Sequence, residues 1–308
     1  MRQSRPALMA AFALFLIWFV MPRTIAAQPQ YGIQVGAYGD DASKGNMGVG
    51  AEIRTSIAPP VGQDMADSFW VGDNLQNGAF IQFGYALSRP GYYCLYGETT
   101  GDQGRCLGSV EQLGFGDVRW FWEYWPNPTI MDFYYAVGPA NSTGPDGSWH
   151  LYQVSPDPVN GWRFILDGHA VWNFTIFQAV KSRDPAYMVA EEITGGPSTS
   201  GSLGPVEFRN LQYRNNSRTW TRVTSLRAIS RCGNTNSNCG LSIPYGVTAL
   251  GPNDIIAGTG EQLTQTGVVL WSVSLPSSAS LPSGQGQQVP CRTCDLSEHP
   301  TFRSRNAP

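Results

Sequence analysis

The chain has 308 residues, with 20 basic and 23 acidic side chains and a net charge of −3, so it lacks the basic excess that a phosphate backbone demands. Charged residues are 14% of it, against about 25% in an average soluble domain. Ten Trp, 13 Tyr and 14 Phe exclude wholesale disorder, and 35 Gly with 22 Pro mark a turn-rich chain that leans towards β structure.

In chain order, residues 1–27 read as a secretory signal peptide. Arg2 and Arg5 form a basic start, Ala7 to Val20 is apolar, Pro22-Arg23 closes the run, and Ala26-Ala27 offers small residues for cleavage. An apolar run of about 14 residues is short of the roughly 20 that span a bilayer, so the expectation is a secreted, extracellular protein with no membrane partner once the signal is removed. Residues 28–274 form the predicted domain. Gly, Pro, Asn, Asp or Ser interrupts it every 8–12 residues or so, no helical period is sustained, and that spacing predicts a sandwich of short strands. The predicted strands are 48–57, 68–71, 80–87, 118–124, 133–137, 149–154, 162–166, 171–177, 187–193, 206–213, 221–229 and 268–273. Residues 275–308 are rich in Ser, Pro, Gly and Gln and read as a tail. Six cysteines fall into three close pairs, Cys94/Cys106, Cys232/Cys239 and Cys291/Cys294, for which local disulfides are the simplest expectation among 15 connectivities.

Histidine is scarce: His150, His169 and His299 are the whole supply, with no HExxH or GxSxG arrangement. A Ser-His or Cys-His nucleophile has no positioned base, and no zinc ligand set or phosphate-binding glycine loop is visible, so neither metal nor cofactor is expected. Carboxylates and amides must then carry any chemistry. Gln82, Glu123 and the pair Glu191-Glu192 each interrupt an apolar strand. Desolvating such groups without partners costs several kcal/mol in total, so each needs a hydrogen-bonding site or a function.

Five segments in order resemble a family. Phe69-Trp70-Val71-Gly72, Ile81-Gln82-Phe83-Gly84, Trp122-Glu123-Tyr124-Trp125-Pro126, Val189-Ala190-Glu191-Glu192-Ile193 and Pro205-Val206-Glu207-Phe208 are similar to successive strand motifs of the eqolisins, secreted glutamic peptidases (the scytalidoglutamic peptidase type). Ile81-Gln82-Phe83-Gly84-Tyr85 followed by Ser88-Arg89-Pro90 also resembles the first catalytic strand of neprosin-type peptidases, where a glutamate stands in place of Gln82. The resemblance implies a concanavalin A-like antiparallel β-sandwich of jelly-roll type, all-β, with Gln82 and Glu191 as the catalytic dyad. Glu192 takes the second role if the strand register shifts by one. It further implies a substrate cleft of Trp70, Trp122 and Glu123, with an acidic position falling at Asp73 or Asn74 and Tyr31 standing where the family has a tryptophan.

The implied activity is a metal-free endopeptidase working at acidic pH on polypeptide as a monomer. Glu191 would deprotonate the attacking water and Gln82 would donate to the oxyanion. Two other readings fit the same fold: a lectin-like carbohydrate-binding module using exposed aromatics, and a glycosidase using Glu123 with Glu191 as its carboxyl pair.

Overall fold

The computed structural model describes residues 31–39, 47–56, 65–87, 91–94, 98–99, 105–106, 110–114, 117–127, 132–139, 142, 147–183, 185–194, 202–232, 243, 245–263 and 265–273, and among them every regular element is a strand. In chain order these are β1 (Tyr31–Gly39), β2 (Val49–Arg54), β3 (Met65–Asn74), β4 (Phe80–Leu87), β5 (Gly91–Cys94), β6 (Glu98–Thr99), β7 (Arg105–Cys106), β8 (Val110–Leu113), β9 (Val118–Asn127), β10 (Asp132–Val137), β11 (Trp149–Pro156), β12 (Trp162–Leu166), β13 (His169–Phe174), β14 (Tyr187–Thr194), β15 (Val206–Arg214), β16 (Trp220–Arg222), β17 (Ser225–Cys232), β18 (Tyr245–Gly251), β19 (Asp254–Thr259) and β20 (Val269–Ser272). One large sheet runs β10-β9-β4-β3-β14-β1-β17-β20 and the other β13-β12-β11-β2-β15-β19-β18, with β16 added beside β15. Two short ribbons, β5 with β8 and β6 with β7, complete the described strands. All these pairings are antiparallel, and the protein is the two-sheet β-sandwich that its turn spacing predicts.

A period of two in the apolar residues builds the core between the sheets. Val35 of β1, Phe69 and Val71 of β3, Phe83 and Tyr85 of β4 and Trp122 and Tyr124 of β9 meet Ala51 and Ile53 of β2, Tyr152 of β11 and Phe164 of β12. Phe83 closes the two layers, edge to face with the Tyr152 ring at 5.2 Å and tilted against Phe164 at 5.5 Å. Trp122 lies in this core, stacked on Phe164 at 4.9 Å and 1% exposed, so the expectation of Trp122 as a wall of the substrate cleft is corrected: its position in β9 points it away from the surface. Truncating a ring this enclosed leaves a large cavity. Trp122→Ala is therefore expected to lower unfolding stability by about 3–5 kcal/mol in urea titration, whereas a surface cleft residue would change it by roughly 0.5 or less.

One predicted element needs revision, and one strand that bears on the site lies outside the predicted set. The span 221–229 is two strands, β16 and β17, which belong to different sheets; the chain crosses between them at Val223, whose side chain is fully buried. β1 escapes the predicted set because Gly32, Gly36 and Gly39 dilute its pattern, yet those glycines fit close neighbours. A Cβ at Gly36 would stand 2.2 Å from the Met188 carbonyl oxygen of the adjoining β14. The expectations for residues 1–27 and 275–308 and for the cysteine pairings concern residues or side chains outside the described ones.

Candidate active site

Neighbouring residues of a strand send their side chains to opposite faces, so β14 separates its two glutamates. Glu191 faces the outer side of its sheet together with Gln34 of β1, Ser68 and Trp70 of β3, Gln82 of β4 and Glu123 of β9. Glu192 faces the core, where its carboxylate accepts from the Tyr245 hydroxyl and its cross-strand partner is Asp67. The alternative base Glu192 is thus corrected: a fully buried side chain between the sheets shares no face with Gln82.

Glu191 is held at both oxygens. Gln34 Nε2 donates to Oε1 at 2.8 Å, and the Trp70 indole Nε1 donates to Oε2 at 2.9 Å. Gly32 makes the space, since a Cβ there would lie 2.6 Å from Glu191 Oε1. Burial raises the Glu191 pKa above the ordinary carboxylate value, while the Gln34 and Trp70 hydrogen bonds, the Arg231 charge and Ser68 pull it back down. Four lone-pair positions on a carboxylate minus these two donors leave room for a water or a substrate proton.

A second polar cluster lies two strands away. Gln82 Nε2 donates to Glu123 Oε2 at 2.7 Å, and Trp125 Nε1 donates to the same oxygen at 2.9 Å. Trp125 is itself fixed by stacking on Phe133 at 4.3 Å. Glu123 is pushed up to about 8, first by burial and further by the charge of Glu191, against the lowering effect of the two donors. It is therefore a neutral acid over the whole acidic range. One Gln82 N–H is spent on Glu123, and the other meets no acceptor among the described residues.

The two clusters are joined through β3. Gln82 pairs with Gly72 and Glu191 with Ser68, so the two residues stand on the strands flanking β3, staggered by four residues, or about 13 Å, along it. They are not on adjacent strands and do not hydrogen-bond each other; Trp70, at the register position between, spans the gap and reaches Glu191.

Three solved β-sandwich enzymes are similar to this chain. A scytalido-glutamic peptidase with a transition state analog inhibitor is 13% identical, over 75% of this chain and 97% of that one, with a TM-score of 0.40. The eqolisin-family peptidase SCP-B, in complex with the tripeptide Ala-Ile-His, is 12% identical over the same shares, with a TM-score of 0.34. A glycoside hydrolase family 16 endo-glucanase from Bacteroides ovatus is 16% identical over 55% of this chain and 70% of that one, with a TM-score of 0.29. No family model and no curated protein matches the sequence. TM-scores below 0.5 assign no activity, so function rests on the geometry of the outer face.

Of the other expected cleft residues, Asn74 stays on the outer face, where its amide donates to the Tyr187 hydroxyl at 3.4 Å. Asp73 turns into the core, is 2% exposed and accepts from the Ser182 hydroxyl, which removes it from the site. The register explains why: Trp70, Gly72 and Asn74 share one face of β3, and Asp73 the other. Tyr31 begins β1 opposite Thr194, and its side chain lies outside the described ones. Sequence reasoning missed Gln34, Ser68, Trp125 and Arg231. Gln34 carried the same signal as Gln82, a lone amide among Ile33, Val35 and glycines. Arg231, at the end of β17, carried none.

Proposed function

We propose that the outer face around Trp70 hydrolyses peptide bonds at acidic pH, as a glutamic peptidase with Gln82 and Glu191 as its dyad. The observation that carries this reading is a buried carboxylate held by two neutral donors, with the Arg231 charge behind one of them, on the same face as an amide that gives one N–H to Glu123. Glu191, ionised, takes a proton from a bound water as that water attacks the scissile carbonyl carbon; the proton then passes to the leaving nitrogen. The other N–H of Gln82 stabilises the oxyanion, a donor worth about 10²–10³ in rate in comparable sites. Glu123 supports both partners by staying neutral. It pins Gln82 without placing a second negative charge beside the developing oxyanion.

The test is incubation of the purified chain with a denatured protein across pH 2–8 and identification of the fragments by mass spectrometry. New peptide termini that form in acid and persist with a metal chelator present are expected. Intact substrate at every pH would sink the reading.

One observation favours a second reading. A neutral Glu123 and an acceptor-locked Glu191 on one face are also the acid and base of a glycosidase, so mixed-linkage and other β-glucans belong in the same assay. A lectin-like module is disfavoured by Trp70, which is fully buried and commits its N–H to Glu191, leaving no exposed ring face for a sugar; the expectation of Trp70 as a cleft wall is corrected on the same ground, since its ring orients Glu191 instead.

A further inference from the structure

Arg231 of β17, Gln34 of β1 and Glu191 of β14 are consecutive register partners across three adjacent strands. Their side chains continue that register as a chain of hydrogen bonds: Arg231 Nε donates to Gln34 Oε1 at 2.6 Å, and Gln34 Nε2 donates to Glu191 Oε1 at 2.8 Å. We infer that Gln34, locked by Arg231, is a positioning residue that holds the Glu191 carboxylate in one orientation and as a hydrogen-bond acceptor. The inference deepens the peptidase reading and rests on it for its catalytic meaning.

The chemistry of the donors makes the chain directional. A primary amide can be flipped by half a turn at little energetic penalty when its surroundings are indifferent. Here they are not, because guanidinium has only donors and must face the Gln34 oxygen. The Gln34 nitrogen is thereby turned to Glu191, which has to accept. Trp70 presents a second donor-only group to the other carboxylate oxygen. Gly32 leaves open the space into which Oε1 fits, and any side chain there would press on it. Gln34 is 3% exposed, so water competes poorly for these bonds.

The charged and titratable groups bearing on Glu191 are few. Arg231 comes from β17, with its guanidinium carbon 5.7 Å from the Tyr187 ring centre, and Glu123 comes from β9; Gln34, Ser68 and Trp70 are neutral. Arg231 is the cation of this set, and it lowers the Glu191 pKa while Gln34 lowers it by hydrogen bonding. Removing either should make Glu191 harder to ionise.

The experiment follows the Glu191 carboxyl directly, by carbon-13 NMR of the full chain labelled at glutamate Cδ, with Glu191→Gln to assign the signal. Arg231→Gln and the near-isosteric Gln34→Met are expected to move the Glu191 midpoint upward by about one pH unit, equivalent to a tenfold change in the ionised fraction on the acid side. On peptide substrate the same variants should lower kcat about tenfold at acidic pH, leave KM nearly unchanged, and shift the acid limb of the profile upward. Arg231→Lys, which keeps the charge and one donor, should restore most of both. A purely structural role would lower the melting temperature and leave the midpoint where it is, and an unchanged midpoint in the folded Gln34→Met variant overturns the inference. If the wild-type chain cleaves no peptide, the dyad falls, while the NMR titration still decides whether Arg231 and Gln34 govern Glu191.

Discussion

Glu191→Gln and Gln82→Ala are each expected to reduce acid proteolysis by at least about 10²-fold, and the double variant to be scarcely worse than the weaker single one. The non-additivity follows from a shared step: without the base no oxyanion forms for Gln82 to stabilise. Glu191→Gln keeps the side-chain volume, but its amide must turn an N–H towards either Gln34 or Trp70, both donors, so a small loss of melting temperature accompanies the loss of rate. Glu123→Gln should behave differently. Glu123 is neutral below about 8, so an amide is a fair substitute in acid, and the variant should retain most activity there. Above that point wild-type Glu123 ionises and sets a negative charge beside the oxyanion, giving an alkaline fall in kcat/KM that Glu123→Gln should remove. The pH dependence of kcat/KM for the wild type and the four variants checks all of this. Full activity in Glu191→Gln would end the peptidase reading, and a Glu123→Gln variant as damaged as Glu191→Gln in acid, with glucan as the substrate cleaved, would move the site to the glycosidase class.

The parts of this molecule that were legible in the sequence are those governed by period and by local contrast. Alternation in Trp162–Leu166 fixes one strand at the residues observed, because a strand buried on one face repeats every two residues, and the apolar run Phe80–Leu87 fixes another that is buried on both faces. Polar residues stranded among apolar ones led to Gln82, Glu123 and Glu191, since burial without a partner is expensive wherever it occurs. Parity within one strand could have moved Asp73 and Trp122 off the face: Trp70 and Asp73 differ by an odd number of positions, as do Trp122 and Glu123. What stayed hidden depended on which strands become neighbours. Arg231 reaches Gln34, 197 residues earlier in the chain, only because β17 pairs with β1, and nothing local to Arg231 announces that pairing. Trp125 is different: it bonds Glu123 two residues away on the same face of β9, so strand parity could have found it.

The core of the sandwich should make the protein an acid-stable, alkali-sensitive fold. Asp67 and Glu192 are cross-strand partners between the sheets, 1% and 0% exposed, and one oxygen of each, Asp67 Oδ1 and Glu192 Oε1, has no hydrogen-bond partner among the described residues. Asp67 is pushed up to about 8, first by burial and then by the Glu192 charge, from an ordinary value of 3.8. Glu192 is raised too, by burial, with Tyr245 as its donor. The sign follows from proton binding. Between about 4 and 8 the folded state holds a proton that the unfolded chain releases, so stability is greatest below about 4 and is lost as the pH rises to about 8. Asp67→Asn removes one of the two charges while keeping an acceptor for the Gly204 backbone N–H and adding a donor towards Glu192. Its melting temperature should therefore fall less steeply with pH than that of the wild type, ending roughly 3–8 °C higher at pH 8, on the scale of about 2–4 °C per kcal/mol for a domain of this size. Glu192→Gln should flatten the curve in the same direction, a stronger consequence than its position on the far face of β14 would suggest. Melting curves for the three proteins between pH 4 and 9 measure this directly, and parallel curves would mean that the buried pair does not govern the alkaline limit. With the pair protonated, the sandwich is firmest in the acid range where Glu123 is neutral, so one range of pH suits both the scaffold and the face it carries.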